Sequence, residues 1–222
     1  MDEKKLDRRP IAARNLRISN AVTDTLAGWG MSPNAISVWS MAFAAASSLC
    51  FWSTSFENQS TRLLWILAGF FILMRLLANM FDGMVAIKSG TTSPVGELYN
   101  EVPDRVSDTV IIVGVGYGLG GWDSISYVAA LGAMFTAYVR AVGKGAGARQ
   151  EFCGPLAKQQ RMFILIAASV YLGLTPSSWH PQFGTHSQHG LMTLVLIVIA
   201  VGSFYTAWRR LQKINFNLTR NV

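Results

Sequence analysis

Charge is scarce in this chain: 14% of its 222 residues are Asp, Glu, Lys or Arg, while 51% are hydrophobic. An ordinary soluble domain carries about 25% charged residues, so that class is excluded, and disorder is excluded by the high apolar content. Cysteine is nearly absent. Cys50 and Cys153 stand far apart, each in or beside an apolar run, so no disulfide framework exists and both read as packing residues. The three histidines, His180, His186 and His189, fall in one segment without acidic or cysteine companions and do not read as a metal site. An apolar h-region is missing from the charged first thirty residues, so no cleavable signal peptide is expected. No internal repeat is visible, and the sequon-like Asn58-Gln-Ser60 reads as chance.

What is abundant is long apolar runs. A helix needs roughly 20 apolar residues to cross about 30 Å of hydrocarbon, and six segments qualify: 34–54, 63–88, 96–119, 124–144, 159–175 and 189–210. The net charge of +7 follows topology. Six basic residues (Lys4, Lys5, Arg8, Arg9, Arg14 and Arg17) precede the first run, and five (Arg140, Lys144, Arg149, Lys158 and Arg161) flank the fourth connection. With Lys88, Arg105 and the four basic residues at and beyond the end of the sixth run (Arg209, Arg210, Lys213 and Arg220), they all fall on one side of an alternating six-span chain. The positive-inside rule makes that side, and both termini, cytoplasmic. No basic groove interleaved with aromatics appears, so nucleic acid is not expected as a partner. Residues 11–29 interleave Ile11, Leu16, Ile18, Val22, Leu26 and Trp29 with Arg14, Arg17 and Asp24, the pattern of a helix lying in the cytoplasmic interface. The expected fold is therefore an all-α membrane protein: a basic arm and amphipathic helix over 1–30, six transmembrane helices over 31–214, and a tail over 215–222.

Ionisable groups within spans are costly and mark function. Five of the twelve acidic residues, Asp82, Glu97, Glu101, Asp104 and Asp108, crowd the facing ends of spans two and three. At 100° per residue, Glu97, Glu101, Asp104 and Asp108 fall within about 60° of one another on a single helical stripe. Such a stripe needs cations. Arg75 and Arg105 are candidates, and oxygen-only donors also suit a hard divalent ion such as Mg²⁺ or Mn²⁺. Gly83 and Gly96 permit close backbone approach, and Pro103 predicts a kink beside the site.

At these residues the sequence resembles the CDP-alcohol phosphotransferase family of integral membrane enzymes. The family pattern D-x2-D-G-x2-A-R-x8-G-x3-D-x3-D keeps its spacing here as Asn79, Asp82, Gly83, Ala86, Ile87, Gly96, Asn100 and Asp104. Asn79 and Asn100 replace aspartates, and Ile87 replaces the arginine. Ser32-Pro33-Asn34-Ala35-Ile36-Ser37 is similar to the family's T-P-N-x-x-T/S opening of span one. The resemblance implies transfer of a phosphatidyl group from a CDP-linked lipid such as CDP-diacylglycerol to a small polar acceptor, with release of CMP, in a bacterial-type inner membrane. It implies metal ligation at Asp82, Asp104, Asn79 and Asn100, two Mg²⁺ or Mn²⁺ ions, Asp104 as catalytic base, and nucleotide contact at Asn34, Ser37, Gly83, Ala86 and Gly96. Since two carboxylates do not balance two divalent ions, either one ion is lost or a neighbouring acid compensates, with Glu101 favoured. The loss of the arginine at Ile87 is offset, on this reading, by Lys88. A catalytically degenerate member, or a non-enzymatic membrane protein, that binds metal and CDP-lipid is the alternative. Thr136 to Ala141 and Gly154 to Arg161 look like segments of the phosphatidylinositol-phosphate-synthase-like branch, which implies an acceptor-phosphate pocket of Arg140, Lys144, Lys158 and Arg161. Homodimerisation is also implied, and Gly114, Gly116 and Gly118 would allow close helix packing.

Overall fold

The computed structural model describes residues 14, 16–56, 60–91, 94–184 and 189–220, and within α4 it leaves aside the side chains at 94, 95, 97 and 99. The basic arm over 1–13, Asn58 and His186 therefore lie outside the described residues, as does the side chain of Glu97. Among the described residues seven α-helices follow in order: α1 (Arg17–Gly28), α2 (Pro33–Ser53), α3 (Thr61–Lys88), α4 (Pro94–Tyr117), α5 (Asp123–Gly145), α6 (Lys158–Leu174) and α7 (Leu191–Arg220). One antiparallel hairpin of two-residue strands, β1 (Gln182–Phe183) and β2 (His189–Gly190), precedes α7. Among the described residues four segments are long and apolar enough to cross a membrane: Pro33–Phe56, Thr61–Lys88, Asp123–Gly145 and Leu191–Arg220. α4 falls outside that group because it carries the acidic stripe, and α6 because it has 17 residues.

The helices wear their large apolar side chains outward. Val38, Trp39, Leu63, Phe70, Val201 and Trp208 are exposed, whereas Ser47, Ser126, Ser169, Thr193, Ser203 and Thr206 are buried. Small polar residues inside and bulky apolar ones outside suit packing in lipid, where close van der Waals contact and internal hydrogen bonds replace the hydrophobic drive. α2 lies against both α3 and α4, α3 against α6, α4 against α5, and α5 against α7. Phe51, Trp65, Ile72, Ile111, Leu165 and Leu196 form the shared core.

The glycine stripe of α4 is used within the chain. A Cβ on Gly114 would lie 2.2 Å from Ser48 Oγ and 2.8 Å from Ser48 Cα on α2, and one on Gly116 would lie 2.3 Å from Ser126 Oγ on α5. Backbone cannot step aside as a side-chain tip can, so Gly114→Val is expected to cost about 1–3 kcal/mol of stability. Thermal unfolding in detergent checks this against Gly145→Val, where a Cβ would meet nothing within 4 Å.

α7 continues past the expected end of its span. Residues 215–220, expected as a tail, extend the helix, and Lys213 Nζ (2.7 Å) and Asn217 Nδ2 (3.0 Å) both reach the buried Glu151. The connection from α5 to α6 threads against α7: Arg210 donates to the carbonyls of Thr136 (2.7 Å) and Cys153 (3.0 Å), and Leu156 N donates to Thr206 Oγ1. Gly154, at φ +114°, makes that turn, and a Cβ there would strike Thr206 Cγ2 at 2.3 Å.

Candidate active site

Ser32 caps α2 by accepting from Ala35 N at 3.2 Å, with Pro33 at the first helical position. This leaves Asn34 exposed at the helix start and Ser37 one turn further in, facing α3. Two serines at helical spacing then meet two motif residues at the same spacing. Ser37 Oγ donates to Asp82 Oδ2 at 2.9 Å, and Ser40 Oγ donates to Asn79 Oδ1 at 2.5 Å. Asn79 Nδ2 in turn donates to Asp104 Oδ1, which joins α2, α3 and α4 at one end of the bundle.

α6 supplies the next layer. Lys158 Nζ pairs with Asp104 Oδ2, while Arg161 Nη2 lies 3.3 Å from Asp108 Oδ2 and Arg161 Nη1 donates to the Leu156 carbonyl at 2.8 Å. Arg75, fully buried on α3, bridges the two acids: its Nη2 is 3.3 Å from Asp104 Oδ1 and 2.7 Å from Asp108 Oδ1, and it also donates to the Asp104 carbonyl at 3.2 Å. Arg105 adds contacts of 3.6 Å to Asp104 and 3.7 Å to Glu101. The stripe thus grades along α4 from the buried Asp108 through Asp104 to the half-exposed Glu101. Pro103 does not break α4, which runs through it as one helix.

The predicted site residues divide accordingly. Asn79, Asp82, Asp104, Ser37, Lys158 and Arg161 come together. Gly83, Ala86, Gly96 and Asn100 lie half-buried around them, on the C-terminal turns of α3 and the N-terminal turns of α4. Glu101, assigned to the metal, instead meets Arg140, assigned to the acceptor, at 2.5 Å; Arg140 also stands 5.4 Å over the Phe152 ring. Lys144 is exposed near the end of α5. Lys88 does not stand in for the arginine missing at Ile87: its ammonium pairs with Asp24 on α1, and the α3 helix end carries it outward. Ser40 is absent from the sequence-derived set, although its three-residue spacing from Ser37 matches that of Asn79 and Asp82.

Among the described residues no three His, Cys, Asp or Glu side chains converge as a metal-holding group. One donor is nonetheless open. Asp82 is 3% exposed, and its Oδ1 has no well-formed hydrogen bond. Buried carboxylate oxygens are rarely left so. With Asp82 open and the oxygen donors of Ser37 and Asp104 beside it, the residues present fit one hard divalent cation.

A family model described as CDP-alcohol phosphatidyltransferase matches residues 30–208. The chain is 27% identical over 148 residues to an archaetidylinositol phosphate synthase of Pyrococcus horikoshii, covering 66% of this chain and 73% of that protein. It is 25% identical over 187 residues to a phosphatidylinositol phosphate synthase of Streptomyces avermitilis, covering 82% and 71%. The fold matches the crystal structure of Mycobacterium tuberculosis phosphatidylinositol phosphate synthase with CDP-DAG bound, at a TM-score of 0.66 and 17% identity over 90% of this chain and 94% of that one. The same enzyme in complex with manganese and citrate matches at 0.65, with 16% identity over 87% of each chain. Since the family model spans both the capped start of α2 and the α3–α4 acids, the chain belongs to the CDP-alcohol phosphatidyltransferase family of membrane transferases.

Proposed function

We propose that this chain transfers a phosphatidyl-type group from a CDP-linked lipid to the hydroxyl of a small phosphorylated polyol, releasing CMP. The observation that carries the reading is the junction of Ser37, Asn79, Asp82 and Asp104 at one end of three packed helices. A divalent ion bound there, Mg²⁺ or Mn²⁺, supplies charge neutralisation of the diphosphate. Asp82, with the amide oxygen of Asn100, would hold it; Asn79, whose amide is engaged by Ser40 and Asp104, and Glu101, paired with Arg140, stand outside this set. Asn34, at the exposed start of α2, and Gly83, Ala86 and Gly96, which present little side chain, leave room for the nucleotide. Asp104 takes the acceptor's proton, and its pairing with Lys158 and Asn79 fixes the carboxylate in place.

The acceptor's phosphate meets Arg140, Lys144 and Lys158, with the buried Arg161 steadying the floor through Asp108. An inositol phosphate is the favoured acceptor, because both curated relatives are named as inositol phosphate lipid synthases. α4 and α6 complete six spans, α1 rests in the cytoplasmic interface of the inner membrane with Ile18 and Trp29 exposed, and the site opens to the cytoplasm. CMP release by detergent-purified protein with CDP-diacylglycerol and Mg²⁺ or Mn²⁺ tests this against inositol phosphate, glycerol 3-phosphate, inositol, serine and glycerol. Release with inositol phosphate alone is the expected result; metal-dependent lipid binding without release would mark a site that binds and does not catalyse. A charge-assisted hydrogen bond contributes about 1.5–3 kcal/mol, so Arg140→Ala is expected to raise KM for the phosphorylated acceptor roughly 10- to 150-fold while sparing KM for the lipid.

A further inference from the structure

The three buried acids at the helix junction are not equally available. Asp104 has both oxygens engaged: Oδ1 by Asn79 Nδ2 and Arg75 Nη2, Oδ2 by Lys158 Nζ. Asp108 is held between Arg75 and Arg161. Asp82 has one oxygen on the neutral Ser37 hydroxyl and the other without a well-formed hydrogen bond, in a side chain that is 3% exposed. The amide of Asn79 is spent as well, its oxygen on Ser40 and its nitrogen on Asp104.

Charge leads to the same residue. Asp82, Asp104, Asp108 and the half-exposed Glu101 face Lys158, Arg75, Arg161, Arg105 and Arg140, so this group has no negative charge to spare before any ion enters. One divalent ion adds two positive charges, which the diphosphate of a CDP-linked lipid offsets. A second would leave two positive charges without a partner beside Lys158 and Arg75, and uncompensated charge away from water is strongly unfavourable. An aspartate at 79 would have brought a carboxylate against Asp104 and required a cation between them; the asparagine there donates a hydrogen bond instead.

We propose that Lys158 and Arg75 occupy, at Asp104, the role of one divalent ion, so that the site holds a single ion and holds it at Asp82. The inference rests on the transferase reading above and adds the count and the place of the ion. A Lys158→Met chain has lost the ammonium, and Asn79→Asp with Lys158→Met also brings a second carboxylate to Asp104; both open a second site.

The test is Mn²⁺ binding to the full chain in detergent with CDP-diacylglycerol, read by the loss of the free-ion electron paramagnetic resonance signal. CMP release is measured on the same preparation, and size-exclusion profiles report folding. The unaltered chain is expected to bind one Mn²⁺, Asp82→Asn to weaken it at least tenfold, and both Lys158→Met variants to gain a second. Two Mn²⁺ of similar affinity in the unaltered chain would overturn the inference, as would one that survives Asp82→Asn or no gain in either Lys158 variant. These counts separate it from the transferase reading: two ions with acceptor-dependent CMP release remove only the single-ion inference. One ion with the expected variant pattern but no CMP release from any acceptor supports the count and removes the reaction.

Discussion

Asp104→Asn is expected to lower CMP release by about 10²–10⁴-fold while leaving the protein folded. Asparagine keeps the size of the side chain and an oxygen acceptor for Lys158 or Asn79, so the packing of α3, α4 and α6 has little reason to change. What it removes is the group that can accept a proton from the acceptor hydroxyl. Its neighbours tolerate the lost charge unevenly. Arg75 retains Asp108 at 2.7 Å, and Lys158 has a side chain 18% exposed, through which it can reach water. The expected pattern is therefore a collapse in kcat, CDP-lipid binding within a few fold of the unaltered chain, and an unchanged unfolding midpoint. A variant that keeps turning over would remove Asp104 from its assigned role. Loss of lipid binding together with a lowered midpoint would show instead that Asp104 is structural.

The ends of these helices were legible because polar segments bound the apolar runs. The apolar runs at 34–54, 63–88, 96–119, 124–144 and 159–175 agree with α2 to α6 within two residues at either end. α7 escaped that rule because its last turns are held by Glu151, 62 and 66 positions earlier in the chain at Lys213 and Asn217, a tether that no local hydropathy reports. The acidic stripe was legible too, since 3.6 residues per turn places Glu101, Asp104 and Asp108 on one face without knowledge of the fold. Its counter-charges were only half legible. Arg75 and Arg105 lie close enough in sequence to suggest themselves, but Lys158 and Arg161 arrive from α6 more than fifty positions away and read, in isolation, as residues flanking a span. The same remoteness hid the pairing of Ser40 with Asn79 and misdirected Lys88, whose partner Asp24 lies on α1. Identity of residue types gave the chemistry; tertiary contact decided which carboxylates remained open.

Asp108→Asn is expected to be the most destabilising of the conservative substitutions at this site. The carboxylate is 2% exposed and lies between two guanidinium groups that are themselves 0% and 1% exposed, one from α3 and one from α6. Removing one member of a buried ion pair costs about 3–5 kcal/mol, chiefly because the charge left behind has neither water nor partner. Here two guanidinium groups lose their shared carboxylate, and Arg75 is left with only its longer contacts to Asp104, at 3.3 Å to the carboxylate and 3.2 Å to the carbonyl. Arg161 keeps its bonds to the Leu156 carbonyl and Thr136 Oγ1, but Arg75 already has two nitrogens, Nε and Nη1, without hydrogen-bond partners among the described residues and is the worse stranded. Thermal unfolding in detergent should therefore show a large loss for Asp108→Asn, and Arg75→Met in the same chain should recover part of it. A double-mutant cycle isolates that coupling, since residues sharing one network depart from additivity by about 0.5–3 kcal/mol. Simple additivity, or a loss below about 1 kcal/mol, would refute the view that these three side chains pin α3, α4 and α6 together. The same substitution reaches the chemistry indirectly. Arg75 also donates to the backbone carbonyl of Asp104, so an Arg75 that shifts on losing Asp108 would disturb the turn of α4 that presents the carboxylate proposed as base. Turnover should accordingly fall even at temperatures where the variant remains folded, and Arg75→Met in the Asp108→Asn background should restore part of the stability without restoring kcat.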